Sequence, residues 1–253
     1  MTRPTHVCIV ASPRPRTGRT LLARALTEFY RMDGGEVVAF DLDAMDSTLQ
    51  QFLPDCTVRA DIGETHAQVE LFDQLIAADQ IPKVVDVSAH AYEAFFNVLA
   101  AIDFAGEARR QAIEPVILFA ASSDPLSVKS YARMRSRFRG IPIAPVYNDG
   151  VVRGHNLRDE FPVSSAVALP LHVPALSPTA RTIVETRPFS FNEFRRRPPA
   201  YAPELVTAEI QSFLKRLHLQ FRELGLRLLL SNLRGSLREA LHPDTFAPFR
   251  PSA

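Results

Sequence analysis

Short apolar runs alternate along the chain with stretches whose apolar residues recur every three or four positions. Val7 to Ala11 form the first run. Leu21, Leu22, Ala25 and Leu26 then open a helical stretch predicted over 19–31. Gly34 and Gly35 end it, because glycine accepts the left-handed conformation that closes helices. Further strands are predicted over 36–43, 83–88, 115–121, 141–147 and 166–171. Helices are predicted over 64–78, 89–105 and 125–139, the last with Asp124 as cap and Pro125 at the permitted first position. A helical turn is expected over 49–53 and a plain connection over 54–63. Most strand runs are continuously apolar, as in strands buried on both faces. The expected fold is therefore an α/β three-layer sandwich around a mostly parallel sheet, of the P-loop NTPase-like kind.

A change of pattern follows residue 186. Residues 187–203 hold Arg195-Arg196-Arg197-Pro198-Pro199 and read as a linker. Residues 204–242 read as a helical appendage, with Val206, Ile210, Phe213, Leu217, Leu224 and Leu228 at helical spacing. Gly225 and Gly235 are expected to break or bend it. Its apolar face can pack on the sheet, on a second copy or on another protein; with Lys215 and Arg216 beside it, an anionic membrane surface is the other reading. Residues 243–253 are Pro-rich and read as a frayed tail.

Composition changes this picture little. The 253 residues are 46% apolar, enough for one sizeable α/β core. A net charge of +1 gives no global argument for nucleic acid or membrane. Nucleic-acid contact at 195–197 stays a minor reading. Charge is uneven, however: 1–35 and 181–250 are Arg-rich and 41–124 lean acidic, so local anion sites are expected. Cys8 and Cys56 make neither a disulfide framework nor a metal site. No apolar run reaches the length of a membrane span and no secretory pattern is visible, so a cytoplasmic protein is expected.

Polar residues cluster just past the predicted strand ends, where ligands bind in parallel sheets. The densest cluster is Ser12-Pro-Arg-Pro-Arg-Thr-Gly-Arg-Thr20, between the first strand and its helix. A helix start presents free N–H groups and a positive dipole end, which suits phosphate. In the pattern G-x-x-x-x-G-K-S/T the slots are filled by Pro13, Gly18, Arg19 and Thr20. Asp41 and Asp43 end the second strand and Asp86 the third; acids there suit magnesium and water beside a phosphate loop, or are plain solvated strand ends. Asn148 opens an Asn-Asp-Gly turn and is also a candidate base reader. His90 and His155 form no metal-spaced cluster, and G-x-S-x-G is missing.

Taken in order, the loop, Asp41-Leu42-Asp43, Val84-Val85-Asp86 and Val146-Tyr147-Asn148 resemble the ParA/MinD family of P-loop ATPases over roughly residues 6–185. In the family's loop, K-G-G-x-G-K-S/T, the slots here are Arg14, Pro15, Arg16, Thr17, Gly18, Arg19 and Thr20. The resemblance implies ATP and Mg2+ as cofactors and a nucleotide-dependent homodimer that positions a macromolecular cargo. Arg14, Arg16, Thr17, Gly18, Arg19 and Thr20 would bind phosphates and Asn148 the adenine. Arg14 would reach across the dimer, Thr20, Asp41 and Asp86 would organise the metal, and Asp43 would orient water. Pro15 lacks an N–H and Arg16 stands where the family has Gly, so phosphate binding with at most weak ATP hydrolysis is expected. The alternative is a catalytically inactive member acting as a protein-interaction adaptor. Ser212 to Leu217 resembles the amphipathic membrane anchor of MinD-type proteins.

Overall fold

The computed structural model describes residues 4–152, 157–163 and 167–241. Among the described residues seven strands form one sheet: β1 (Thr5–Ala11), β2 (Val38–Asp41), β3 (Thr57–Arg59), β4 (Lys83–Val87), β5 (Ile113–Ala120), β6 (Ile143–Asn148) and β7 (Leu171–Val173). Their order is β3-β2-β4-β1-β5-β6-β7, and every pairing is parallel. The three-layer α/β sandwich is thus the architecture found.

Alternation along β1 sorts the two faces. Cys8 and Val10 point into one core; Val7, Ile9 and Ala11 point into the other. The first core is covered by α1 (Arg19–Tyr30), α2 (Thr48–Phe52), α7 (Pro178–Glu185), α8 (Phe191–Arg196) and α9 (Glu204–Leu241). The second lies under α3 (Thr65–Leu75), α4 (Tyr92–Ala101), α5 (Phe104–Arg110) and α6 (Pro125–Arg137). With helices on both sides the strands are dry on both faces, which is why they read as unbroken apolar runs.

Several elements differ from expectation. The helix expected over 89–105 is split into α4 and α5, because Asp103 adopts a left-handed φ of 48° and caps α5 by accepting from Gly106 N. Residues 54–63 contain β3, too short for a periodic signal. The last strand is β7 rather than 166–171; residue 166 lies outside the described residues, as do His155 and the tail 243–253.

The Arg/Pro-rich stretch 187–203 is no bare linker. Phe189, Phe191 and Phe194 are buried in the first core, and the intervening residues form α8. Glu28 of α1 anchors that segment: its carboxylate accepts from Ser190 Oγ at 2.6 Å and from Phe191 N and Asn192 N at 2.8 Å. Ser190 Oγ accepts Glu193 N at 3.2 Å, so the opening N–H groups of α8 are satisfied.

The long α9 continues through Gly225 without a break. Phe213, Leu214 and Leu217, the face read as a surface anchor, are buried against the sheet domain together with Ile210, Phe221 and Leu224. Gln220 exchanges hydrogen bonds with the backbone of His172 on edge strand β7, at 2.6 and 2.7 Å. That side chain occupies edge groups another strand would otherwise seek. Glu209 accepts from Ser177 N and Ser177 Oγ at 2.6 and 2.7 Å. This apolar face is therefore committed to the chain's own core. Among the described residues no helix is long and apolar enough to cross a membrane.

Candidate functional site

The strand order brings the polar strand ends to one edge. β1 lies between β4 and β5, so its loop emerges between the ends of both. Asp86 of β4 is in register with Val10 of β1 and Asp41 of β2. Asn148 ends β6 and Asp124 follows β5 on the same edge. A cleft of about 780 Å³ opens there, lined in part by residues 14–21.

Gly18 is the N-cap of α1 at φ 83°, with no side-chain cap and no acid in the first turn. The first N–H groups of α1 therefore lack a side-chain acceptor, and no acid within that turn opposes an anion. Only a residue without Cβ fits, since a Cβ on Gly18 would come within 2.0 Å of Asn148 Nδ2. Arg16 adopts φ 61°, an uncommon left-handed conformation for a side-chain-bearing residue, and its side chain is exposed. Between them Thr17 is buried, and its Oγ1 has no hydrogen-bond partner.

Asn148 acts as a strap on this loop. Its Nδ2 donates to Thr17 O at 3.1 Å and its Oδ1 accepts Gly150 N at 3.0 Å. The amide expected to read adenine is thus used at both ends within the chain, and a base would have to displace it.

Two of the three predicted cation ligands, Thr20 and Asp86, come together, but around a guanidinium. Arg19 Nε donates to Asp86 Oδ1 in a short ion pair, and its Nη2 donates to Thr20 Oγ1 at 3.3 Å. Thr20 Oγ1 donates to Asp86 Oδ2 at 2.8 Å. Arg19 Nη2 also lies 4.0 Å from Asp43 Oδ2. Asp86 is fully buried; burial raises its pKa, and the charge of Arg19 and the Thr20 hydroxyl pull it only part of the way back. Asp41 is turned to local structure: its oxygens accept Asp43 N and Gln50 N, each at 3.0 Å. Burial raises Asp41 as well, against the Gln50 N–H and with the Asp86 charge adding to it. Asp43 Oδ1 accepts Met45 N and Asp46 N at 3.2 Å. As arranged, this donor set does not fit Mg2+: Thr20 and Asp86 are engaged with an internal cation and Asp41 with backbone. Among the described residues no group of three or more His, Cys, Asp or Glu is placed to hold a metal.

Arg14 is held on its own chain, Nε to Asp124 Oδ1 at 2.7 Å. Asp124 also caps α6 through Leu126 N and Ser127 N. Burial alone would raise Asp124, but the hydrogen bonds from Ser122, Arg14 and Ser127 outweigh it and hold the carboxyl below its ordinary value.

The cleft includes basic residues that the motif did not indicate: Arg24, Arg181 and Arg187. Arg24 is buried on α1 and donates to Val184 O at 3.0 Å and Phe189 O at 3.4 Å. Its guanidinium carbon lies 3.3 Å from the Phe52 ring centroid, and that of Arg187 lies 5.2 Å from the same ring. Burial lowers the Arg24 pKa to about 9, so it stays protonated at neutral pH. Arg14, Arg19 and Arg181 pair with Asp124, Asp86 and Glu185. Among the described residues Arg16, Arg24 and Arg187 have no carboxylate within ion-pair distance. A signal for Arg24 exists in the sequence: it and Glu28 lie one helical turn apart in a helix otherwise rich in small and apolar residues.

The arrangement is a concave basic site ending at a helix N-terminus, suited to an anion with several negative charges. Compared with known proteins, the chain matches no family model and no curated protein.

Proposed function

We propose that the chain is a nucleotide-binding protein of the ParA/MinD-like kind, with the phosphates held at the start of α1. ATP is the nucleotide the resemblance favours. The observation that carries this reading is the Gly18-started helix, with no acid in its first turn, opening into a cleft where Arg16, Arg24 and Arg187 lack carboxylate partners among the described residues. Backbone N–H groups of residues 18–20 and the Arg16 side chain would contact the phosphates, and the Thr17 hydroxyl would gain a partner. A nucleotide-dependent homodimer fits Arg14, whose pair with Asp124 is surface-exposed. Such a pair is worth about 0–1 kcal/mol, so Arg14 can exchange Asp124 for a phosphate at little cost.

The second reading is an inactive adaptor on the same fold, and it too has an observation in its favour. Arg19 is engaged with Asp86 and Thr20 rather than extended along the loop. Asp43, the expected water-orienting residue, is within 4.0 Å of that same guanidinium.

Thermal shift separates the two readings. A ligand present at a hundredfold over its Kd adds about 2.7 kcal/mol to the native state. At roughly 2–4 °C per kcal/mol for a chain of this size, that is a clear rise in Tm. ATP, ADP, GTP, GDP or pyrophosphate at millimolar concentration is expected to give it. Arg16→Glu reverses a charge at the loop without removing any hydrogen bond described above, and should weaken binding at least tenfold. No shift with any of these ligands would favour the adaptor.

A further inference from the structure

We propose that the α1 cradle takes its phosphate ligand without a divalent cation, because the Arg19 guanidinium already occupies the position such a cation would need. The inference rests on the phosphate-binding reading above and narrows it to metal-free polyphosphate anions.

In a phosphate-loop enzyme the first-turn hydroxyl and the strand-end acid share a magnesium ion. Here both groups are already engaged with each other and with Arg19. Thr20 Oγ1 gives its proton to Asp86 Oδ2 at 2.8 Å and accepts from Arg19 Nη2 at 3.3 Å. Asp86 Oδ1 takes Arg19 Nε, and the Asp86 side chain is almost wholly buried. Asp41, the next acid along the edge, is committed at both oxygens to Asp43 N and Gln50 N. Asp43 has one oxygen on Met45 N and Asp46 N and the other facing Arg19. Magnesium demands near-octahedral oxygen ligands and gives up its water reluctantly. To enter, it would have to displace the mostly buried Arg19 guanidinium from Asp86 and shed part of its own water shell.

The ligand's charge must then be met by protein groups alone. Two kinds are at hand beside the helix start. Thr17 lines the cleft, is 3% exposed and has a hydroxyl with no partner, which a phosphate oxygen would satisfy. Arg16 and Arg187 line the same cleft without a carboxylate partner among the described residues. A pyrophosphate or nucleotide di- or triphosphate supplies the matching charge, and magnesium complexation in solution would lower it. Binding should therefore be no weaker in chelator than in magnesium.

Isothermal titration of the full chain with pyrophosphate and with ATP, each in EDTA and in millimolar Mg2+, tests this. The expected result is a Kd in EDTA within about twofold of the magnesium value, or tighter. Binding that weakens more than tenfold in EDTA overturns the inference and leaves phosphate binding standing. Heat in neither buffer, with no competition against a fluorescent nucleotide, overturns both.

Discussion

Replacing Glu28 with alanine is expected to destabilise the chain by about 3–5 kcal/mol. Glu28 is 2% exposed and its carboxylate accepts Ser190 Oγ, Phe191 N and Asn192 N. Each buried donor left without an acceptor costs about 1–3 kcal/mol, and water can reach Ser190 and Asn192 only in part. The same substitution removes the acid one turn from the buried Arg24, whose charge Glu28 supports. Tm should fall by roughly 10 °C, and residues 187–203 should become the first site of limited proteolysis. A loss under about 1 kcal/mol, with 187–203 still protected, would mean that the segment is docked by its phenylalanines alone.

Gly18→Ala is expected to affect binding most. At φ 83° an added Cβ costs about 1–2 kcal/mol in backbone strain. It also meets Asn148 Nδ2 at 2.0 Å, and that amide is held at both ends, so the Thr17 O contact is lost. A displaced hydrogen bond of this kind costs about 1 kcal/mol. Stability should fall by about 2–3 kcal/mol in chemical denaturation. The larger effect is on the anion site: with the loop re-aimed, phosphate affinity should drop at least thirtyfold, roughly 2 kcal/mol. Wild-type affinity in Gly18→Ala would show that the loop backbone is not what holds the ligand.

What could be read from the chain alone divides along physical lines. Strands β1, β4, β5 and β6 were legible because burial on both faces demands uninterrupted apolar residues. The clustering of chemistry at one sheet edge followed from parallel strands with polar ends. β3 and α8 were not legible. β3 has three residues, and α8 is marked by arginines and prolines although Phe191 and Phe194 bury its inner side. The position of α8 depends on Glu28, a contact more than 130 residues away in sequence.

The site shows the same division. Residue types assigned Thr20 and Asp86 to a magnesium ion and Arg19 to the phosphates, whereas in the structure the three bond to one another. Nothing local says that the guanidinium turns back onto the acid instead of forward along the loop. That choice is made by a buried carboxylate, which must find a cation or donors nearby. Asn148, expected to read a base, lies close against Gly18 and serves as a strap on the loop. Asp41 became a turn acceptor because burial leaves its oxygens only backbone N–H groups to meet. Arg24 escaped notice because lone arginines on helices usually face water, and here Phe52 and two carbonyls receive it instead.

A crystal structure of the chain grown with ATP tests the phosphate site most directly. Phosphate density against the backbone N–H groups of Gly18, Arg19 and Thr20 is the expected result. ATP bound elsewhere, with those groups facing only solvent, would contradict it.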